Sequence, residues 1–197
     1  MDYYGVTIST MFIFYGLIFL GTYFAGNKVN KTADRISASP VSMTLYQWGT
    51  ATGSVVLISI QSLVVVTIGI LVFNIYWGGE LGISLLVILA EIIMVSAIGT
   101  ILGILLKNEN LIAGIAQIVI PAIVFLGDGY VQLGDSGALS VIKKLSPMYW
   151  INHGIFDAVY LHEYRTAVIS ILISLGIALL CTVAVAVSGR GGRASNA

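Results

Sequence analysis

The stretch that decides the fold is NKVNKTADRISASP, residues 27–40, a short polar segment that lies between two long apolar runs. The whole chain of 197 residues is 58% hydrophobic and only 9% charged, and its mean hydropathy is +0.99. A soluble domain carries far more charge than this. We therefore predict a membrane protein in which residues 27–40 form a segment that a cytoplasmic partner can reach.

The apolar runs on both sides of this segment have the length of membrane-crossing helices. A spanning helix needs about 20 predominantly apolar residues, and the sequence contains five candidates: residues 7–26, 53–77, 81–106, 111–126 and 166–188. Continuous runs of Leu, Ile and Val with little alternation argue against a membrane β-barrel. The predicted fold class is an all-α membrane protein, a single transmembrane domain over residues 1–197 with five transmembrane helices.

The positions of Lys and Arg predict the orientation, because cytoplasmic loops of membrane proteins carry an excess of these residues. With the N-terminus outside, six of the nine basic residues lie in the cytoplasm: Lys28, Lys31, Arg35, Lys107, Arg190 and Arg193. The other three lie outside: Lys143, Lys144 and Arg165. We expect a multi-pass protein of the plasma membrane with a cytoplasmic C-terminus. A missing preceding span would explain how so short an external N-terminus crosses the membrane.

Residues 27–40 have the pattern of a short amphipathic helix. Lys28, Lys31 and Arg35 are spaced so that they share one helical face, while apolar side chains share another. A helix of this kind lies on the membrane surface, here on the cytoplasmic side. The alternative is a plain basic loop that obeys the same charge rule.

The end of the polar segment predicts the start of the next helix. Ser39 has the residue type of a helix N-cap, and Pro40 that of a first helical position. A helix from there to Trp77 would be about 55 Å long at about 1.5 Å per residue, well beyond the roughly 30 Å of the hydrocarbon core. We therefore expect its first turns to project into the cytoplasm.

The sequence KTADRISASPVS, residues 31–42, resembles the segment that closes a coupling helix after the second membrane span of ABC type-2 exporter permeases. Two other places agree in order and spacing: an apolar-Gly turn at residues 125–127, and Ser-Pro followed by aromatic residues at 145–150. The resemblance covers nearly the whole chain, as spans two to six of the family with the first span missing. It implies that six residues couple this chain to an ATPase: Lys28, Lys31, Thr32, Arg35, Ser39 and Pro40.

The resemblance implies a function as the transmembrane permease subunit of an ATP-driven ABC exporter, which moves an amphiphilic substrate such as a drug, peptide or lipid-like molecule out of the cell. It implies two protein partners within the lipid bilayer, an ABC ATPase subunit and a second permease subunit in a homodimer or heterodimer. The sequence has no Gly-rich loop ending in Gly-Lys-Ser or Gly-Lys-Thr. We therefore expect ATP to bind the partner subunit, and we expect this chain to need no cofactor, to bind no metal or nucleic acid, and not to be an enzyme.

Polar residues inside the predicted spans are candidates for the translocation pathway. Glu91 is the one carboxylate well inside a span, where a charge is costly unless it has a partner, faces a cavity or is protonated. Gln61 and Gln117 are weaker candidates, and either could instead form an interhelical hydrogen bond. In the family, spans two and five form the dimer interface around the pathway. The resemblance therefore points to Thr7, Ser9, Thr10 and Gln117 as lining residues.

Glu91 also supports an alternative function and a purely structural interpretation. In an ion-coupled secondary transporter or a channel, this carboxylate would be the proton or ion site, and no ATPase would be needed. In the structural interpretation, it is a neutral carboxyl group hydrogen-bonded to Ser or Thr of a neighbouring helix.

Two further patterns concern packing. Gly49/Gly53 and Gly99/Gly103 have the small-xxx-small spacing that lets helix backbones approach closely. The segment 128–165 has apolar residues at helical spacing, and we expect it to form one or two short external helices that return to the membrane. The run before it, residues 111–126, is short for a full crossing and contains Pro121.

Overall fold

The computed structural model describes residues 2–29, 35, 36, 38, 42–77, 80–106, 108–131 and 138–194, and these ranges contain helices and no β-strand. The helices are α1 (Asp2–Val29), α2 (Met43–Phe73), α3 (Leu81–Leu105), α4 (Glu109–Leu126), α5 (Ala138–Leu145), α6 (Pro147–Phe156) and α7 (Arg165–Ala194). A π-helical turn, Asp157–Leu161, follows α6.

Five helices are long and apolar enough to cross a membrane: Tyr3–Asn27, Leu45–Phe73, Leu81–Leu105, Glu109–Leu126 and Arg165–Val185. The all-α fold with five transmembrane helices is therefore confirmed. We call the end of the bundle where α1 finishes and α2 starts the inner end, and the opposite end the outer end. The assignment of the inner end to the cytoplasm stays a prediction.

Helix α2 is shorter at both ends than predicted. Ser42 has an extended backbone, and its side-chain oxygen accepts a hydrogen bond from the Leu45 N–H at 3.2 Å, which makes Ser42 the N-cap. Helix α2 therefore begins at Met43, and the predicted start at Ser39 and Pro40 lies outside the described residues. At the other end, Asn74 adopts a left-handed conformation with φ of 48°. Asn tolerates this conformation and commonly ends helices, so α2 stops there and does not continue to Trp77.

Helices α1 and α3 form the centre of the bundle. In the apolar part of each span, 56% of the residues are buried in α1 and 61% in α3, against 22% in α2 and α4 and 17% in α7. A Cβ atom at Gly103 would lie 2.6 Å from the carbonyl oxygen of Gly21, and one at Gly99 would lie 3.0 Å from that of Leu17. The close packing predicted for Gly99/Gly103 is confirmed, because only the absence of side chains lets these backbones touch.

The second glycine pair lies in a different environment. A Cβ atom at Gly49 or Gly53 would have no atom of the described residues within 4 Å, apart from its own helix backbone. The prediction of close packing is therefore wrong for this pair within the described part of the chain. Helix α2 lies at the edge of the bundle, and Gly49 and Gly53 face open space.

The segment between α4 and α7 contains the two short helices that were predicted. Helix α6 begins with Pro147 at its first position, after Ser146. The Ser146 hydroxyl donates to the carbonyl oxygen of Ile123 at 2.9 Å, which fixes the start of α6 against α4. Helix α4 itself runs continuously for 18 residues with Pro121 inside it. That the two short helices re-enter the membrane stays a prediction.

Candidate translocation and coupling site

Four of the predicted coupling residues lie outside the described residues: Lys31, Thr32, Ser39 and Pro40. Lys28 belongs to the last turn of α1. Arg35 is helical and exposed. The contacts to an ATPase that the resemblance implies for these six residues stay predictions.

The two helices on either side of the coupling segment are connected at their inner ends. Asn27 donates a hydrogen bond from Nδ2 to the Tyr46 hydroxyl oxygen at 2.7 Å, and the Tyr46 ring meets the ring of Phe24 edge to face at 6.3 Å. Glu109, the first residue of α4, lies beside the inner end of α1. Its Oε1 atom is 2.6 Å from the position that a Cβ atom of Gly26 would take. The ends of α1, α2 and α4 thus meet beside the coupling segment, and Glu109 was not predicted from the sequence to lie there.

The three hydroxyl residues predicted to line the pathway are buried in α1 near its outer end. Thr7 and Ser9 each donate to a backbone carbonyl oxygen one turn earlier, at 3.1 Å and 2.8 Å. Thr10 is within hydrogen-bonding distance of Asn152 Oδ1 in α6, at 3.0 Å. All three hydroxyl groups are therefore satisfied inside the chain in this conformation, and Thr10 joins α1 to α6.

The two glutamines lie on the exposed faces of peripheral helices, Gln61 on α2 and Gln117 on α4. Their surroundings on these faces are apolar, as shown by Ile118, which is 75% exposed next to Gln117. A carboxamide that faces hydrocarbon without a hydrogen-bond partner is costly. In a membrane, both side chains therefore need a polar partner outside this chain or a polar pathway.

Glu91 lies at the centre of α3 and is completely buried. Neither carboxyl oxygen has a hydrogen-bond partner among the residues that the structure describes. The hydrogen bond to a neighbouring Ser or Thr, which the structural interpretation requires, is therefore absent from this part of the chain. A buried carboxyl group without a partner costs stability, so packing does not account for its presence here.

The structure places the six pathway candidates in three separate environments and does not bring them together. The α1 hydroxyls are buried near the outer end, where Thr10 contacts α6. Glu91 lies in the core of α3, and the two glutamines face outwards. A pathway that uses all of them requires either another chain or another conformation.

A buried polar cluster at the outer end was not predicted from the sequence. Lys143 Nζ lies 2.9 Å from Asp128 Oδ2, and the two side chains are only 4% and 7% exposed. Tyr3 donates a hydrogen bond to the Asp128 carbonyl oxygen, and Asn152 Nδ2 donates to that of Gly127 at 3.1 Å. The cluster joins α1, α4, α5 and α6. A buried ion pair depends on both partners, because the loss of one leaves an uncompensated charge.

The two histidines do not form a metal site with the residues described. His153 Nε2 lies 3.6 Å from Asp128 Oδ2, and His162 Nδ1 lies 3.8 Å from Glu80 Oε1. Groups of three or more His, Cys, Asp or Glu side chains that could hold a metal ion are absent from the described ranges. Glu80 instead accepts a hydrogen bond from the Tyr164 hydroxyl at 2.6 Å, and this bond raises the pKa of Tyr164. It connects the start of α3 to the start of α7.

A comparison with models of protein families gives a match over most of the chain. A family model described as ABC-2 family transporter protein matches residues 1–187. The matched range contains all five membrane-spanning segments and every candidate site residue discussed above. Curated proteins and solved structures give no match to the chain.

Proposed function

This chain belongs to the ABC-2 family of transporter proteins, and from that premise we propose that it is the permease subunit of an ATP-driven exporter for an amphiphilic substrate. The observation that carries the proposal is the extent of the family match, residues 1–187, because it includes all the spans and the segments between them. The chain is thus a multi-pass membrane permease, and the outward direction and the substrate class are the parts proposed. A pathway of hydroxyl and amide groups among apolar residues suits a molecule with polar and apolar parts.

In this proposal, a separate ABC ATPase subunit binds ATP and pushes on the coupling segment. The hydrogen bond between Asn27 and Tyr46 supports this role, because it connects the helix before the segment to the helix after it. A displacement of the segment then acts on α1 and α2 together. Glu109 beside Gly26 extends the same displacement to α4.

A second permease subunit completes the pathway in this proposal. Gln61 and Gln117 support it, because both are exposed polar side chains on apolar faces and need a partner outside the chain. The short helices α5 and α6 would close the pathway on the external side, held by the Asp128–Lys143 pair. Opening would then require α1 to separate from Asn152.

The coupling role is tested by reversing the charges of Lys28, Lys31 and Arg35 to Glu in the full-length chain, reconstituted with its ATPase subunit. We expect ATP-dependent transport to fall at least tenfold, while membrane insertion and the amount of permease are unchanged. Lys144→Glu is the matched control, because Lys144 is an exposed lysine at the outer end. Normal transport by the triple variant would contradict the coupling role.

The alternative function, an ion-coupled transporter or channel, is favoured by one observation, the buried and unpartnered carboxyl group of Glu91. Two measurements separate the functions. An exporter should co-purify with an ATPase subunit and keep the pH dependence of its transport in Glu91→Gln. An ion-coupled protein should transport without ATPase and lose its pH dependence in that variant.

A further inference from the structure

A cleft of about 250 Å³ opens between α2, α3 and α7 in the inner half of the bundle. Its walls come from residues 47–55 of α2, residues 93–100 of α3 and the last described side chains of α7. The cleft exists because α2 stands away from its neighbours here. Trp48 at the wall is 54% exposed, and Gly49 and Gly53 in the same stretch have open space beside them.

The walls of the cleft contain groups that can form hydrogen bonds but no charged group, since none of the residues that line the cleft is ionisable. Thr52, Thr100 and Thr182 donate their hydroxyl protons to carbonyl oxygens of their own helices, at 2.9 Å, 2.8 Å and 2.9 Å. These hydroxyls therefore have only lone pairs left to offer to a bound molecule.

Ser96 differs from the three threonines. It lines the cleft, is only 2% exposed, and its Oγ atom has no hydrogen-bond partner among the described residues. An unsatisfied hydroxyl is costly in a buried apolar place. The side chain forms part of the wall, and a serine hydroxyl changes direction by rotation about χ1.

We propose that this cleft binds an uncharged lipophilic molecule with one hydroxyl or amide group, and that Ser96 recognises this group. Such a group can accept a hydrogen bond from the Ser96 hydroxyl and donate one to a lone pair of a threonine hydroxyl. A charged group would be buried without a counter-charge. A plain hydrocarbon chain, such as that of a bilayer phospholipid, would leave the Ser96 hydroxyl unsatisfied.

The size of the cleft limits the part of the molecule that is enclosed. A cavity of about 150 Å³ takes a benzene ring, so a cleft of about 250 Å³ takes about ten non-hydrogen atoms on the same scale.

The site is also separate from the predicted pathway. Glu91 lies five residues before Ser96, which places it about 140° away around α3. The binding site therefore does not depend on the proposed direction of transport.

Photolabelling of the full-length chain in phospholipid nanodiscs tests the site with two matched probes. One is a diazirine-bearing decanol, and the other is the same molecule with hydrogen in place of the hydroxyl group. We expect the alcohol to label peptides of α2 and α3 at the cleft saturably, and the hydrocarbon to label them about threefold to tenfold less, the effect of one hydrogen bond. Ser96→Ala should reduce labelling by the alcohol to the level of the hydrocarbon.

Three variants serve as controls. Ser62→Ala removes a buried serine of α2 that lies outside the cleft and donates to Ile58 at 2.7 Å, and labelling should not change. Ala97→Phe and Ala51→Phe fill the cleft from opposite walls, and either should abolish labelling by both probes. Without any probe, Ser96→Ala should melt at or above the temperature of the wild type, because it removes an unsatisfied group.

Four outcomes would overturn the proposal. Equal labelling by the two probes would mean that the cleft simply takes hydrocarbon chains of the bilayer. Unchanged labelling of Ser96→Ala would mean that Ser96 recognises nothing. Absence of labelling by both probes would mean that the cleft is covered, for example by a second copy of the chain. A lower melting temperature of Ser96→Ala would show a structural role for the hydroxyl instead.

Discussion

The central helix α3 and the peripheral helix α2 have similarly apolar sequences but opposite surroundings. The Gly99/Gly103 pair of α3 touches the backbone of α1, whereas the Gly49/Gly53 pair of α2 touches no other element within 4 Å in the described residues. The same spacing therefore permits a close contact without requiring one. Whether the contact forms depends on which helix lies opposite.

The attachment of the helices differs in the same way. At the outer end, α1 is bonded to Asp128 through Tyr3 and is in contact with Asn152 through Thr10. In the described residues, α2 is joined by the hydrogen bond from Asn27 at the inner end, and the segment just after α2 accepts one from Tyr160 at the Tyr76 carbonyl oxygen, at 3.3 Å. Helix α2 can therefore shift without breaking a close backbone contact, which fits its proposed place directly after the coupling segment.

The largest expected effect comes from breaking the buried pair that fixes the outer end of α1. Lys143→Met should lower the free energy of unfolding by about 3–5 kcal/mol, because the Asp128 carboxylate then stays buried without its counter-charge. Denaturant unfolding of the purified protein in mixed micelles measures the change. Lys144→Met is the control, since its side chain is exposed on the same helix. Equal stability of the two variants would show that the pair does not hold this end together.

Substitution at the contact between the central helices should cause the next largest loss of stability. Gly103→Leu forces a side chain into the place of the Gly21 carbonyl oxygen and should cost about 2–3 kcal/mol, measured in the same way. Gly53→Leu introduces the same side chain into open space and should cost less than about 0.5 kcal/mol. If both variants lose the same stability, the glycine pairs of α3 and α2 do not differ as the structure indicates.

The sequence allowed the prediction of the five spans, because each span depends on a run of apolar residues that is local in the chain. It did not allow a distinction between the two glycine pairs, because their local patterns are alike and the difference lies in the residues opposite. The Asp128–Lys143 pair was missed for the same reason. Lys143 and Lys144 are adjacent, and only the docking of α5 shows which of the two is buried.

A smaller effect is expected at a completely buried polar group of the central pair, Glu91. Glu91→Leu should raise the free energy of unfolding by about 1–3 kcal/mol, because it replaces a carboxyl group without hydrogen-bond partners by an apolar side chain. Met94→Leu, at another fully buried position of α3, should change stability by less than about 1.5 kcal/mol in either direction. A loss of stability in Glu91→Leu would show that the carboxyl group has a stabilising partner.

The smallest effect concerns the inner attachment of α2. Tyr46→Phe removes the hydroxyl that accepts the hydrogen bond from Asn27, and should cost about 0.5–1.5 kcal/mol. Hydrogen exchange of the first turns of α2 should rise in this variant, while that of α3 stays unchanged. Tyr4→Phe is the control, because it removes a similar hydroxyl from the exposed face of α1, at the outer end. A rise in α3 as well would mean that α2 and the central pair open together.

A candidate site residue could be predicted where its type is unusual in its own segment. It could not be predicted where its role depends on a residue that is distant in the sequence. Glu91 was found because a carboxylate in an apolar run is unusual, and its complete burial agrees with that reasoning. The Thr10 contact with Asn152 could not be found, since the two residues are 142 positions apart and each is ordinary in its own segment. Ser42 as the N-cap of α2 was missed because Ser39 with Pro40 was the stronger local pattern.

The contact between Thr10 and Asn152 sets a time scale for the synthesis of the protein. At about 5–20 residues per second, a ribosome needs about 7–28 s to add the 142 residues between them. During that interval, α1 is in the membrane without the partner for its outer end. Backbone carbonyl oxygens of α1 can accept the hydrogen bond of the Thr10 hydroxyl during this time, as they do for Thr7 and Ser9. We therefore expect the outer end of α1 to stay accessible to α6 until the second half of the chain has been inserted.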